Sequence, residues 1–388
     1  MGPPVTVDGS VRPRPDLTLD GCFGSVPEEY AEPADGALIS QENFVGICTV
    51  QDSSHLDETD LALVHALQLQ PRFPWSRLAR VLDVDASTLT RRWSRLTREG
   101  LAWFSCYPSG SKDWTGHDWE AHAFVEVECF PGHRQTVMDE LAGKARVWNI
   151  DATSGRRDLM LTMVAPSIVD LDEEVDTSVA TIPGVRATRT HFFRSMIRDG
   201  SSWRLNALSP EQRHALTPTP TRDGASRPGP RDLELLRILG PDARIPAATV
   251  AEQLGCSPST AGRWITRVVE SRFAAIRCEI AHYVAGWQVA ATLWLDVPQH
   301  DLKSVAAAIA RLPEIRLCVT IGSEANLVAQ IWLHRLEHLD RFEMLLTTRF
   351  AGTRILDRWI TPHFAKRLCH RIGHDGRRTG FVSPFATV

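Results

Sequence analysis

The segment from Ser87 to Glu99 carries hydroxyl and guanidinium groups at spacings that let them act together: Ser87, Thr88, Thr90, Arg91, Arg92 and Arg95. Arginine can donate two parallel hydrogen bonds to a guanine edge, while hydroxyls and further arginines hold phosphates. A later segment carries Ser259, Thr260, Arg263 and Arg267, each 172 positions after its counterpart. Polar residues kept at one offset through Ser-Thr-x-x-Arg-x-x-x-Arg are more than packing demands, and they point to contact with double-stranded DNA.

The elements that would position these groups follow from periodicity. Leu89, Trp93 and Leu96 recur at i, i+4 and i+7, which places them on one stripe of a helix facing a core. Thr88, Arg91, Arg92 and Arg95 are then assigned to the solvated side, and Ser87 to the N-cap. Upstream, Trp75 to Leu82 reads as a short helix and Asp83-Val84-Asp85 as the tight turn between two helices, the order of a helix-turn-helix. The second copy shares Asp60/Asp232, Arg72/Arg244, Pro74/Pro246, Ala79/Ala251 and Leu82/Leu254 at the same offset. It is the weaker reader, because Gly262 costs a helix roughly 1 kcal/mol relative to Ala and Trp264 stands in the place of Arg92, as a packing residue.

Composition bounds the rest. At 388 residues, 43% apolar and 23% charged, the chain is an ordinary soluble protein with room for two to four domains. Its net charge of −4 does not announce a nucleic-acid partner, but local clusters such as Arg91-Arg92-Arg95-Arg98 set the field that DNA would meet. No apolar run reaches a membrane span and no signal layout opens the chain, which predicts a cytoplasmic protein without a membrane partner. The eight cysteines show no C-x-x-C pair and read as small buried residues. His363, Cys369, His370 and His374 read as part of a basic C-terminal end rather than a metal site, and no cofactor is expected.

Residues 1–55 are rich in proline and predict a mostly disordered arm, with Phe44 to Val50 the one candidate strand. Residues 208–230 read as a proline-rich linker. Helix-turn-helix regions are expected at 56–105 and 231–276, α/β domains at 118–195 and 286–367, and a tail at 368–388. In the first α/β region, strands at 123–129, 147–153, 158–165 and 185–193 alternate with helices at 131–144 and 167–180. The second has strands at 288–296, 314–321, 326–334 and 353–361 with helices at 298–312 and 336–348. The fold class is therefore α+β, with two winged-type helix-turn-helix domains each followed by a ferredoxin-like β-α-β-β-α-β domain.

Each half, over residues 56–195 and 229–367, resembles a full-length member of the leucine-responsive (Lrp/AsnC) family of transcription regulators. The resemblance is carried by Leu56-Asp57-x-x-Asp60, Arg72, Leu78-Ala79, Ser87-Thr-Leu-Thr-Arg-Arg92 and Gly100-Leu101, followed by the β-α-β-β-α-β order. The second copy departs from it at Gly229, where the first has Asp57. The resemblance implies transcriptional regulation by a small effector, usually an amino acid, held near a Gly-x-x-Asp-Leu turn. Here that turn is Gly155 to Asp158 with Leu159, and in the second copy Gly322, Ser323 and Asn326. Backbone N–H groups there would hold a carboxylate and Asp158 an ammonium. Because such α/β domains pair sheet to sheet, the chain is expected to form an intrachain pseudo-dimer or a homo-oligomer. Two other readings share the plan: a siroheme-decarboxylase-like enzyme, and a protein-interaction module with degenerate DNA contacts.

Overall fold

A computed structural model describes residues 56–108, 121–217, 230–270 and 274–385. The arm at 1–55 and its candidate strand, and residues 218–229, lie outside these. Asp57 opens helix α1 (Glu58–Leu69) with a capping box, its carboxylate accepting the Asp60 N–H while Asp60 accepts the Asp57 N–H. Helix α2 (Trp75–Leu82) stops at Asp83, whose left-handed φ of 52° breaks the helix. Helix α3 (Ala86–Arg98) buries Leu89, Trp93 and Leu96, as the periodicity requires. Its N-cap is Asp85 and not Ser87: one Asp85 oxygen accepts the Ser87 N–H at 2.8 Å and the Thr88 N–H at 3.4 Å. A carboxylate also suits the positive end of the helix.

Strand β1 (Ala102–Pro108) follows directly, then β2 (Ala121–Cys129), α4 (Arg134–Ala142), β3 (Val147–Ala152), β4 (Leu159–Ala165), α5 (Ile168–Glu174) with a π-turn over Val175–Val179, and the long β5 (Val185–Arg198). Part of the expected linker is a helix, α6 (Pro210–Ala215), started by a Ser209/Gln212 capping box. It is anchored because Leu208 and Leu216 are buried in the helical core. Helices α7 (Pro230–Leu239), α8 (Ala247–Leu254) and α9 (Pro258–Glu270) precede β6 (Ala274–Ile280) and β7 (Val289–Asp296). Then come α10 (Leu302–Ile309), β8 (Ile315–Ile321), β9 (Leu327–Leu333), α11 (Glu337–Arg349), β10 (Arg354–Ile360), β11 (His363–Arg367), β12 (His370–Ile372) and β13 (Arg378–Phe381).

Four-stranded order β5-β2-β4-β3 gives the first α/β unit a ferredoxin-like sheet, and β10-β7-β9-β8 has the same order in the second. The two are stitched reciprocally. The first part of β5 pairs with β2, and its last residues, from Phe193, pair with β8 of the other unit. In the same way β10 pairs with β7, and β11, after a two-residue break, pairs with β3. A third cross-pairing joins β1 and β6 antiparallel, with Ser105 opposite Arg277. Both helical triplets bury their apolar faces in one shared core, while Phe124, Trp294, Val319 and Trp359 fill the space between the sheets.

The expected tail is folded. Strands β12 and β13 continue the sheet edge beyond β11, and the Arg378 N–H donates to the Gly100 carbonyl at 2.9 Å. His370 is buried, its ring 4.8 Å from that of Phe381, so hydrophobic packing rather than solvation accounts for this segment. Among the described residues no helix is long and apolar enough to cross a membrane.

Candidate functional site

The solvated face of α3 is the row Ser87, Thr90, Arg91, Ser94 and Arg98, all exposed. Thr88 is half-buried. Arg92 and Arg95, expected on that face, turn instead toward the start of α1. Arg92 donates to Asp57 at 2.6 Å and to Asp60 at 3.0 Å, and Arg95 pairs with the other Asp60 oxygen. Asp60 is fully buried, and a buried carboxylate requires paired cations. The same pair recurs as Arg267 with Asp232 at 3.2 Å. Retention of Asp60/Asp232 with Arg95/Arg267 is thus explained by the clamp of the third helix on the first. On α9, Ser259 and Arg263 are exposed and Thr260 is half-buried. Trp264 packs against the helical core, with the Arg231 guanidinium 5.0 Å from its ring.

The turn residues also have structural partners. Gly155 holds a φ of 91°, which an L side chain rarely adopts. One Asp158 oxygen accepts the Cys129 N–H at 2.7 Å. Asn326 does the same for Val297 at 3.0 Å and donates back to its carbonyl at 2.7 Å. The carboxylate and the amide therefore latch the end of the first strand in each unit, a job that does not need a charge. Each turn reaches the opposite unit: Ser154 N–H donates to the Ile360 carbonyl at 2.9 Å, Gly322 N–H to Phe192 at 3.1 Å, and the Ser323 hydroxyl lies 3.1 Å from His191 Nδ1. Beside them Arg157 is buried between Glu126, at 2.9 Å, and Asp357, at 2.7 Å, over the Trp359 ring. Burial alone would raise the Glu126 carboxyl, but bonds from His191 and Arg157 outweigh it and hold it at about 2.

Sequence reasoning passed over a cavity of about 180 Å³ between the two sheets. It is bounded by Arg277 of β6, Arg316 of β8 and Arg367 of β11, with aromatic walls from Trp148, Phe193, Trp332 and Phe364. All three guanidiniums converge on Glu279, which is 1% exposed: Arg316 at 3.2 Å, Arg367 at 3.5 Å, and Arg277 in closer contact. Burial pushes the Glu279 carboxyl up, but the three cations overcome it and hold it at about 2. Arg316 also stacks 3.8 Å from the centre of the Trp332 ring. Single arginines in apolar strands give a sequence no signal that they meet.

Residues 56–97 match the AsnC-type helix-turn-helix domain family, and residues 122–203 match the Lrp/AsnC ligand binding domain family. An uncharacterized HTH-type transcriptional regulator of Pyrococcus abyssi is 27% identical over 150 residues, 37% of this chain and 90% of that protein. A counterpart from Pyrococcus horikoshii is also 27% identical, with the same coverage. Among solved structures, the siroheme decarboxylase NirDL superposes with a TM-score of 0.51 at 14% identity, covering 80% of this chain and 93% of its own; this is a likeness of fold. AsnC of Escherichia coli, 17% identical, covers 36% of this chain and 93% of its own at a TM-score of 0.30. The first half of this α+β chain thus carries an AsnC-type helix-turn-helix domain followed by an Lrp/AsnC ligand-binding domain, with Lrp/AsnC-like regulators as its homologues.

Proposed function

We propose that the chain is a sequence-specific DNA-binding transcription regulator of Lrp/AsnC type, a tandem duplication of one helix-turn-helix plus α/β unit, modulated by a small effector and without enzymatic activity. The observation that carries this reading is the face of α3: Ser87, Thr90, Arg91, Ser94 and Arg98 stand exposed on a helix whose opposite side is packed. A rigid helix with a solvated row of hydroxyls and guanidiniums fits the major groove. Thr88 lies at the edge of that row. Arg92 and Arg95 act from behind it, fixing the angle of the helix through Asp57 and Asp60. On the second triplet, Ser259, Thr260 and Arg263 offer a sparser set, with Arg267 engaged by Asp232.

Reciprocal strand exchange supports one chain acting as an intrachain pseudo-dimer, with further association into oligomers open to it. Two unlike reading helices would favour an asymmetric operator over a strict palindrome. Since Asp158 and Asn326 are engaged as latches, an effector at the Gly155–Asp158 and Gly322–Asn326 turns would rely on their backbone N–H groups. Likeness of fold does not transfer function; the exposed row on α3, which contact with a duplex needs and tetrapyrrole chemistry does not, favours the regulator over an enzyme acting on a tetrapyrrole.

The test is selection of bound duplexes from a random pool at near-physiological salt, with wild type beside Arg91→Ala/Arg98→Ala. An enriched, asymmetric motif that disappears in the double variant is the expected result. No enrichment with either protein would reject the reading.

A further inference from the structure

We propose that the cavity between the two sheets is a binding site, one per chain, for a small carboxylate with a flat aromatic body. Three guanidiniums, each with five N–H donors, bound a space where Glu279 is the only carboxylate ion-paired to them among the described residues. Asp199 and Asp151 are also on the wall: Asp199 already accepts the Tyr107 hydroxyl at 3.0 and 3.1 Å, and Asp151 accepts from Gln330 at 3.1 Å, its carboxyl raised by burial to about 7. Cations in a buried site with more donors than acceptors favour an anion, and a carboxylate matches the guanidinium fork.

Size and walls narrow the class. About 180 Å³ corresponds to roughly half a dozen waters at ~30 Å³ each, enough for one ring and a carboxylate. The indole of Trp148 and the ring of Phe193 provide flat apolar walls, while Trp332 and Phe364 carry the Arg316 and Arg367 guanidiniums against their rings. Backbone geometry also keeps the space polar on one side. Gly200 lies directly against the Arg277 guanidinium, where any Cβ would collide with it.

One site per chain follows from the divergence of the two halves. The positions matching Arg277 and Arg316 in the first half are Ser105 and Trp148. Arg198, which ends β5 as Arg367 ends β11, donates instead to the Ala310 and Leu312 carbonyls at 2.6 and 2.8 Å. Reciprocal pairing would otherwise repeat the pocket, but only the second half supplies its cations. The site differs from the turn at Gly155, and its occupancy does not depend on DNA binding.

Calorimetry of the full chain, without DNA, with benzoate and phenylpyruvate as probes and inorganic phosphate as control, tests the proposal. Saturable binding of an aryl carboxylate at one site per chain is expected, weakened at least tenfold in Arg316→Met, with phosphate binding at least tenfold more weakly than either probe. Should Arg316→Met fail to fold, Met196→Trp, which places a bulkier ring at a wall position outside the ion cluster, should weaken binding to the same degree. No saturable binding of either probe, two sites per chain, equal binding of phosphate, or affinity unchanged in both variants would each overturn the assignment.

Discussion

Arg72 and Arg244 exchange hydrogen bonds between the two helical triplets. Arg72 donates to the Ala243 and Ile245 carbonyls, the latter at 3.2 Å, and Arg244 donates to those of Pro71, at 2.8 Å, and Phe73, at 3.1 Å. Each side chain thus satisfies the loop that carries the other. Arg244 also stacks 4.1 Å from the Trp75 ring centre. Replacing either by methionine keeps much of the apolar stem but leaves two carbonyls without their donor, at about 1–3 kcal/mol. Urea unfolding should show a lower midpoint in each single variant, and the double variant should lose less than the sum, since the two share one interface. Strict additivity would mean that the two arginines act independently.

Arg91 and Arg95 should separate into two phenotypes. Arg91 is exposed on α3, while Arg95 closes on the buried Asp60. Arg91→Ala is expected to leave the thermal midpoint within a degree or two and to weaken duplex binding by about 1–3 kcal/mol if it reads a base. Arg95→Ala should cost stability, roughly 1–3 kcal/mol, because the buried Asp60 loses one of its two cations and keeps Arg92 and the Asp57 N–H. The arrangement fails its test if Arg95→Ala melts like wild type.

Asp158 and Asn326 occupy one structural role with different charge. Asp158→Asn should therefore be nearly silent in stability, as the amide oxygen can still accept the Cys129 N–H. Asp158→Ala strands that N–H and should cost about 1–3 kcal/mol. Comparing both variants with wild type by chemical denaturation distinguishes a latch from a charge site. If Asn proved as damaging as Ala, the carboxylate charge would be doing more than holding the strand end.

Much of this architecture was legible in the sequence, and the exceptions share a cause. Leu89, Trp93 and Leu96 announce the packed side of α3, since helical periodicity is a local property. Periodicity gives direction around an axis but not what lies there, so Arg92 and Arg95 read as solvated until α1 places Asp57 and Asp60 beside them. Ala102–Pro108 has no alternation because it is buried along its whole length, and its partner Ala274–Ile280 lies far along the chain. The continuation of β10 into β11 is hidden for the same reason: His363, Phe364 and Lys366 pair with β3 of the other unit, and Phe364, Ala365 and Lys366 are all buried. The cavity was the least visible feature. Arg277, Arg316 and Arg367 come from three strands, and only the crossing of two sheets brings them to one carboxylate.

Asp151 gives the fold a dependence on pH. It is buried in β3, accepts from Gln330 at 3.1 Å, and burial raises its carboxyl from 3.8 to about 7, against the opposing pull of Arg367 and the Gln330 bond. Between about pH 4 and 7 the unfolded chain releases this proton while the folded chain keeps it. The unfolded state then binds fewer protons, so this residue's contribution makes stability fall as pH rises through that window and level off above it. A shift of this size is worth up to about 4 kcal/mol. Asp151→Asn keeps an acceptor for Gln330 and removes the titration. Urea midpoints measured at pH 5 and pH 7.5 should show wild type losing stability relative to the variant across that interval, with the difference largest at the higher pH. Parallel behaviour of the two proteins would mean that Asp151 is already ionised in the folded chain at pH 5, held so by Arg367 despite its burial.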